Sequence, residues 1–418
     1  MRLLIAVFFL ALALRIAVLV LLSSHQLLAD ERQYHDLAVS ITQGNGFTLS
    51  DGKPTAFRAP FYPSFVALVY SVFGFSTVAV QLVQSFLLSL TCLLIFFLGQ
   101  SIFDRKVGCW AAVLAAVYPL LIYPAYQINS EALFVFLFTL SLFVVFKARE
   151  KCWYSLLAGF LLALSSLTKP MAIFAVPFFL IWIYKRSNKS LGIKSACLTL
   201  IILIICLTPW TIRNYHKFNA FVPFTTCGGI AYYNSYVLPP EGLGFNSLET
   251  IPAEYFSITN EAAQSHYLIQ YTNKYIIHNW VKVVRLTMFK VFLFFYPFDG
   301  YWYPFSLGSK YNIFWSMVFI FSLIGLRFTG LATPGHRLLL MTIIAFLMCV
   351  LVFHGSPRYR LALEPVYILL AVFGYLKLRL RSSAWVYSIL GSNFAVWLIF
   401  RYLDMITTLK WRSLARFF

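Results

Sequence analysis

The chain has 418 residues, 61% hydrophobic and 19% aromatic but only 11% charged, with a mean hydropathy of +0.78. A soluble chain carries about 25% charge, so water is not the main solvent here, and soluble globular, disordered, collagen-like and secreted disulfide-rich classes are excluded together. The net charge of +19, from 33 Lys and Arg against 14 Asp and Glu, would suggest nucleic acid in a soluble chain. On an oily chain it first reports topology, because cytoplasmic loops collect Lys and Arg, and no nucleic-acid partner is expected.

Apolar runs recur at 3–22, 78–98, 107–125, 131–146, 154–168, 170–184, 195–210, 311–326, 337–353, 361–376 and 384–400. A 20-residue helix covers about 30 Å, the thickness of the hydrocarbon layer. No period-2 alternation is visible, which favours helices over barrel strands. The expected fold is an all-α polytopic membrane protein, a single membrane domain over residues 1–418, with about 11 transmembrane helices (11–13). With the N-terminus inside, the short inner segments hold 15 basic residues against two acids, Asp104 and Glu150. The much longer outer segments hold 17 basic residues and the other 12 acids. That contrast fixes the expected orientation, although the basic C-terminal tail falls outside and argues the other way. Two apolar stretches, 61–75 and 281–298, break the parity and are assigned to helices lying in the outer interface. The second carries Lys282, Arg285 and Lys290. Seven cysteines are scattered, with Cys227 in an outer loop, so no disulfide framework is implied. Segment 3–22 reads as a retained anchor rather than a cleaved signal peptide, since no small-residue cleavage site follows it.

Polar chemistry belongs to the two large outer segments, 23–77 and 211–310. Arg15 is the one charge well inside a span, whereas transporters and proton pumps usually carry several. In the first outer loop, Tyr34, Leu37, Ala38 and Ile41 follow helical spacing, and Gly44-Asn45-Gly46 ends the pattern. Asp30 and Glu31 open this helix. One reading is structural: Asp30 caps the helix and Gln33 completes a capping box. The other is an acid held at the membrane surface, able to accept a proton from a hydroxyl or to hold a divalent cation. Arg58 stands in Pro54-Thr55-Ala56-Phe57-Arg58-Ala59-Pro60-Phe61-Tyr62-Pro63. It is either an arginine that snorkels to lipid headgroups or a phosphate clamp, since guanidinium matches phosphate bidentately.

These residues resemble a family. Asp30-Glu31 through Tyr34, Gly44, Gly46-Phe47, Thr55-Ala56-Phe57-Arg58, Pro60 and Tyr62-Pro63 are similar to the first outer loop of bacterial GT-C glycosyltransferases. Those polytopic enzymes are related to protein O-mannosyltransferases and lipid A aminoarabinose transferases. Asn129-Ser130-Glu131, Thr168-Lys169-Pro170 and Pro209-Trp210-Thr211-Ile212-Arg213-Asn214-Tyr215 follow in the same order. Phe221-Val222-Pro223, Gly228-Gly229, His354-Gly355-Ser356-Pro357-Arg358-Tyr359-Arg360 and Glu364-Pro365 complete the set. Ala59 departs from the pattern, where relatives often have a second proline, and no sizeable soluble domain fills 211–310. The resemblance implies a metal-optional, inverting transfer of a sugar from a polyprenyl phosphate to an acceptor hydroxyl on a lipid, glycan or protein. It implies a multi-pass protein of the inner membrane, surrounded by membrane lipids, with its active site facing the periplasm. A first-loop acid, Asp30 or Glu31, acts as general base, and the same pair is the candidate ligand set for an optional Mg or Mn ion. Arg58 matches the basic position that contacts the donor phosphate.

An anionic leaving group is stabilised by cations, which makes Arg58, Arg213, Arg358, Arg360 and Lys169 the candidate phosphate-binding set. Tyr34, Tyr62, Glu131, His354 and Tyr359 are supporting candidates; Glu131 also reads as a helix cap. Tyr232, Tyr233, Tyr236, Tyr255, Tyr301, Trp302 and Tyr303 read mainly as an interfacial belt. Loop 211–310 is the expected acceptor-selecting part. The competing readings are a transporter or flippase of lipid-linked glycans, which predicts inverted repeats that the sequence does not display, and a non-catalytic scaffold.

Overall fold

The computed structural model describes residues 2–22, 27–49, 51–185, 189–237, 251–297, 311–329, 333–355 and 357–414. Tyr301, Trp302 and Tyr303 lie outside the described residues, as do Arg186 and Ser356. The helices in chain order are α1 (Arg2–Leu21), α2 (Ala29–Thr42), α3 (Phe61–Phe73), α4 (Thr77–Ile102), α5 (Arg105–Val117) and α6 (Pro119–Ile122). They continue as α7 (Glu131–Ala148), α8 (Trp153–Thr168), α9 (Val176–Tyr184), α10 (Lys189–Phe218), α11 (Cys227–Tyr236) and α12 (Ala253–Ser257). The rest are α13 (Glu261–His278), α14 (Trp280–Phe295), α15 (Ile313–Thr329), α16 (Pro334–Val352), α17 (Glu364–Arg381) and α18 (Ser383–Leu414). Short 3₁₀ turns at Tyr123–Ala125, Pro170–Ala175 and Pro357–Leu363 join some of them. Among the described residues the nearest approach to a sheet is an isolated antiparallel bridge between Thr48 and Pro54.

Each of the eleven apolar runs is helical, but their lengths differ. Among the described residues, six helical segments are long and apolar enough to cross a membrane: α1, α4, α7, α10, α16 and residues 358–381. A seventh is reached if α5 and the 119–125 segment count as one span, bent by 71°. The runs at 154–168, 170–184, 311–326 and 384–400 form shorter apolar helices. The bend has a local cause. Proline disfavours the α conformation in the residue before it, and Tyr118, ahead of Pro119, is extended (φ −79°, ψ 116°). The freed carbonyls need donors at this depth. Arg15 supplies one to Leu121 O at 2.8 Å, Gln81 one to Tyr126 O at 2.6 Å, and Gln84 one to Gln127 O at 2.8 Å. The Arg15 guanidinium thus serves a broken helix.

One continuous apolar core runs from α1 to α17. Helices α15 and α17 approach closely, and a Cβ on Gly325 would stand 2.1 Å from Leu370 O; small residues that let backbones approach drive such packing in lipid.

Helix α2 buries Tyr34, Leu37 and Ala38, the expected face, and leaves its last turn through Gly44 and Gly46, both at positive φ. Its start differs from the capping-box expectation. The N-cap is Leu28, and the Glu31 carboxylate accepts the Leu28 N–H at 3.1 Å. The helix begins one residue before Asp30, so Asp30 and Gln33 are left for other partners. The long segments 23–77 and 211–310 are pinned together. Thr226 N donates to Ala56 O at 2.9 Å, Thr225 Oγ1 donates to Phe57 O at 2.7 Å, and Glu261 accepts from Thr55 Oγ1 at 2.7 Å and Ala56 N at 2.9 Å. In α14, Lys290 does not join an exposed charged stripe: it is fully buried, with its ammonium 3.8 Å from the Tyr236 ring centroid.

Candidate active site

Five parts of the chain converge on one ion-pair network. Asp30 comes from the first turn of α2, and Arg58 from the proline-flanked loop before α3. Glu131 is the first residue of α7, Lys169 the hinge after α8, and Arg358 part of the turn before α17. The proline in Thr168-Lys169-Pro170 stops α8 and leaves Lys169 extended (φ −141°, ψ 117°). Asp30 bridges two guanidiniums: Arg58 Nη2 donates to Oδ1 at 2.5 Å and Arg358 Nη1 to Oδ2 at 2.8 Å. Arg58 Nε donates to Gln33 Oε1 at 2.8 Å, one helical turn along α2. Arg358 Nε donates to Glu131 Oε1, which also accepts from Lys169 Nζ at 2.8 Å. The second Glu131 oxygen, Oε2, is buried and makes no hydrogen bond. Three cations thus face two carboxylates, and the surplus positive charge suits an anion.

The network is graded in exposure. The Asp30 side chain is 31% exposed and Glu131 only 3%, so Asp30 is the acid that solvent and ligand reach. Burial would raise its pKa, but Arg58 and Arg358 outweigh that and hold the carboxyl below its usual 3.8. Aromatic rings fix the arginine. Arg58 lies 5.2 Å from the Tyr34 ring centroid and 5.3 Å from Phe57. Tyr34 packs edge-on to Tyr62 at 4.8 Å, and the Tyr62 hydroxyl donates to Gln84 Oε1 at 2.8 Å.

Other sequence candidates lie apart from this network. Glu31 is buried and accepts from the backbone N–H groups of Leu28 and Ile128, both at 3.1 Å, so it ties α2 to the segment before α7. Arg213 donates to Thr55 O at 2.7 Å and Phe47 O at 2.8 Å and stacks on Trp210, which spends its guanidinium on holding the first long segment. Arg360 is fully buried, 4.0 Å from the Trp315 ring centroid and 3.6 Å from Glu364 Oε1; the structure does not bring these two candidate phosphate-binding arginines into the network. His354 and Tyr359 are half-buried neighbours of Arg358 in sequence. Among the described residues no three His, Cys, Asp or Glu side chains converge as a metal-holding group. The carboxylates of Asp30 and Glu31, the candidate metal ligands of the sequence, face separate donors in this structure. Two residues are absent from the sequence-derived site candidates. Gln33 reads there only as part of a capping box, although its spacing of three from Asp30 puts both on one face of α2. Glu261 had only its place after Asn260, whose side chain caps α13.

A cavity of about 290 Å³ opens beside Arg58 and Gln33, walled on its far side by α13 and by residues of 226–230.

Comparisons agree with this architecture. Residues 57–212 match the model of the dolichyl-phosphate-mannose-protein mannosyltransferase family, a segment carrying Arg58, Glu131 and Lys169. An oligosaccharyltransferase of Archaeoglobus fulgidus superposes with a TM-score of 0.58 at 14% identity, over 97% of this chain and 55% of its own. Its complex with an inhibitory peptide and a dolichol-phosphate gives 0.57 at 12% identity, over 96% of this chain and 55% of that one. ArnT from Cupriavidus metallidurans, bound to undecaprenyl phosphate, gives 0.55 at 13% identity, over 91% and 60%. The chain thus spans a little over half the length of these proteins. No curated protein sequence matches it.

Proposed function

From the GT-C fold that this chain shares with the archaeal oligosaccharyltransferase and ArnT, we propose that it is a membrane glycosyltransferase. It moves a sugar from a polyprenyl phosphate to an acceptor hydroxyl at the outer, periplasmic face of the inner membrane. The observation that carries this reading is the half-open carboxylate of Asp30 lying between Arg58 and Arg358. The acceptor oxygen attacks the anomeric carbon as its proton passes to Asp30. The bond from that carbon to the phosphate oxygen breaks, and its electron pair leaves with the lipid phosphate. A single displacement of this kind inverts the anomeric centre. Arg58, Arg358 and Lys169 offset the charge that grows on the phosphate. Binding the phosphate also draws the guanidiniums from Asp30 and makes it a stronger base where one is needed.

Glu31 has a different part in this scheme: it anchors α2 and takes no proton. The test is transfer by purified Asp30→Asn and Glu31→Gln variants. The substrates are the polyprenyl-phosphate sugars extracted from the same cells, with mass spectrometry of glycolipids and glycoproteins as the readout. Loss of a general base costs about 10²–10⁴-fold, and a fall of that size is expected in Asp30→Asn with membrane insertion intact. Full transfer by Asp30→Asn would sink the assignment.

A further inference from the structure

Helix α14 carries a charge pattern that neither the topology nor the ion-pair network uses. Between Glu261 and Asp299 the sequence has no acid, yet it holds Lys274, Lys282, Arg285 and Lys290. Topology accounts for cations in short inner loops, but this stretch belongs to the long segment expected outside. Lys290 is buried, with Leu351 O and the Tyr236 ring as its partners. Lys282 and Arg285 are exposed, and among the described residues neither has a hydrogen bond or an ion pair.

Rotation about the helix axis sorts the rest of α14. Leu286, Lys290 and Phe294, four residues apart, form the buried face. At about 100° per residue, Trp280, Val284, Met288, Val281 and Phe292 cover an arc of about 120° on the other side. All five are exposed, from 49% for Val284 to 71% for Met288. Arg285 and then Lys282 continue the turn along one edge of that arc. An apolar face rimmed by cations is the pattern of a helix lying in a lipid headgroup layer.

The same rim is concave. A cavity of about 530 Å³ opens where α13 passes into α14, lined by His278, Asn279, Trp280, Lys282 and Arg285 among others. The His278 ring is fixed there by its Nδ1, which donates to Lys274 O at 2.7 Å. The lining holds two cations and an imidazole and no acid, so charge complementarity selects an anion. The exposed apolar arc beside it selects an anion that carries acyl chains. A phosphodiester headgroup meets both requirements, since its oxygens match a guanidinium bidentately and an ammonium as a point charge.

We propose that the α13–α14 corner binds the headgroup of an anionic glycerophospholipid, with its phosphate on Lys282 and Arg285 and its chains along the apolar face from Trp280 to Phe292. The site is separate from the Asp30 network, and binding there requires no sugar transfer.

The test is native mass spectrometry of the purified full chain in detergent, titrated with phosphatidylglycerol or with phosphatidylethanolamine of the same acyl chains. Lys282→Gln combined with Arg285→Gln removes the two cations of the corner. Lys53→Gln combined with Lys151→Gln removes two exposed cations elsewhere and serves as the matched control. We expect phosphatidylglycerol to be retained in preference to phosphatidylethanolamine. Its affinity should fall about thirtyfold in the Lys282–Arg285 double variant, the share of two cations at a headgroup, and by part of that in each single variant. The control pair should keep the wild-type affinity. Equal retention of the two lipids, or an equal loss in both double variants, would overturn the proposal, because general charge rather than this corner would then govern binding. Displacement of the lipid by an equal concentration of inorganic phosphate would overturn the lipid as occupant. The assay contains no sugar donor, so failure of the transferase reading leaves its result standing, and failure of the lipid site leaves the Asp30→Asn test standing.

Discussion

Asp30 holds two guanidiniums at once, and that decides how it titrates. Its folded pKa lies below 3.8 because Arg58 and Arg358 outweigh the cost of burial. A depressed carboxyl contributes stability that is present above its unfolded pKa and lost as pH falls through the lower folded value. The ion pairs are thus intact across neutral pH and fail only in strong acid. For kcat/KM, which reports the free enzyme, no acid limb from Asp30 is expected above about pH 5. For kcat, which reports the loaded enzyme, a limb at higher pH is expected, because a bound phosphate engages the arginines and relieves Asp30 of their field. Measuring both profiles from about pH 4 to 8 checks this. Identical limbs in kcat and kcat/KM would show that phosphate binding leaves the Asp30 ion pairs in place. Glu31, one residue along the same helix, faces backbone N–H groups instead of arginines. On a helix adjacent residues point about 100° apart, so neighbouring acids take different parts.

At the scale of elements, the α13 N-terminus is the clamp on the loop that carries Arg58. Glu261 accepts from three donors on two other segments, and hydrogen bonds to a charged group contribute about 1.5–3 kcal/mol each. Glu261→Ala leaves those donors unmet and frees the loop. The expected result is a KM for the lipid-linked donor raised about tenfold, since a misplaced Arg58 weakens phosphate binding more than it alters the displacement. A melting temperature lowered by several degrees should accompany it, and Glu261→Gln should recover part of both because its amide oxygen still accepts. Kinetics of the two variants against wild type checks this; unchanged KM in Glu261→Ala would mean that Arg213, Thr225 and Thr226 hold the loop without it.

How far the sequence reached follows the same division. The apolar runs and the period of Tyr34, Leu37, Ala38 and Ile41 are local signals, and they announced the helices and the buried face of α2. Asp30 and Arg58 stand out by what a carboxylate and a guanidinium can do in an outer loop, and Lys169 and Arg358 by the motifs that resemble GT-C glycosyltransferases. Their convergence was not legible, since Arg358 and Asp30 are 328 residues apart. Nor was the position of Arg213 and Arg360 outside the network, because carbonyl and ring partners such as Thr55 O and Trp315 leave no mark on residue spacing.

For the whole molecule, the uneven charge becomes a statement about two faces. Fifteen basic residues and two acids occupy the short segments expected inside, whereas the other 12 acids belong to the segments expected outside, which also carry the residues of the ion-pair network. A basic excess in short loops holds them in the cytoplasm, and on the far side acids such as Asp30 and Glu131 pair with arginine and lysine and so cancel part of the positive signal. If that is the organising rule, residues near Arg58 face outward. Lys53 belongs to the same loop, five positions before Arg58, and its side chain is 79% exposed; Lys151 is exposed in the short turn between α7 and α8. In a chain whose seven native cysteines are replaced by serine or alanine, a membrane-impermeant maleimide applied to intact spheroplasts should label Lys53→Cys and leave Lys151→Cys unlabelled until the membrane is permeabilised. The reverse pattern would put the Asp30–Arg58 site on the cytoplasmic face. The ion-pair network would then survive as geometry, but the donor would have to present its sugar from inside.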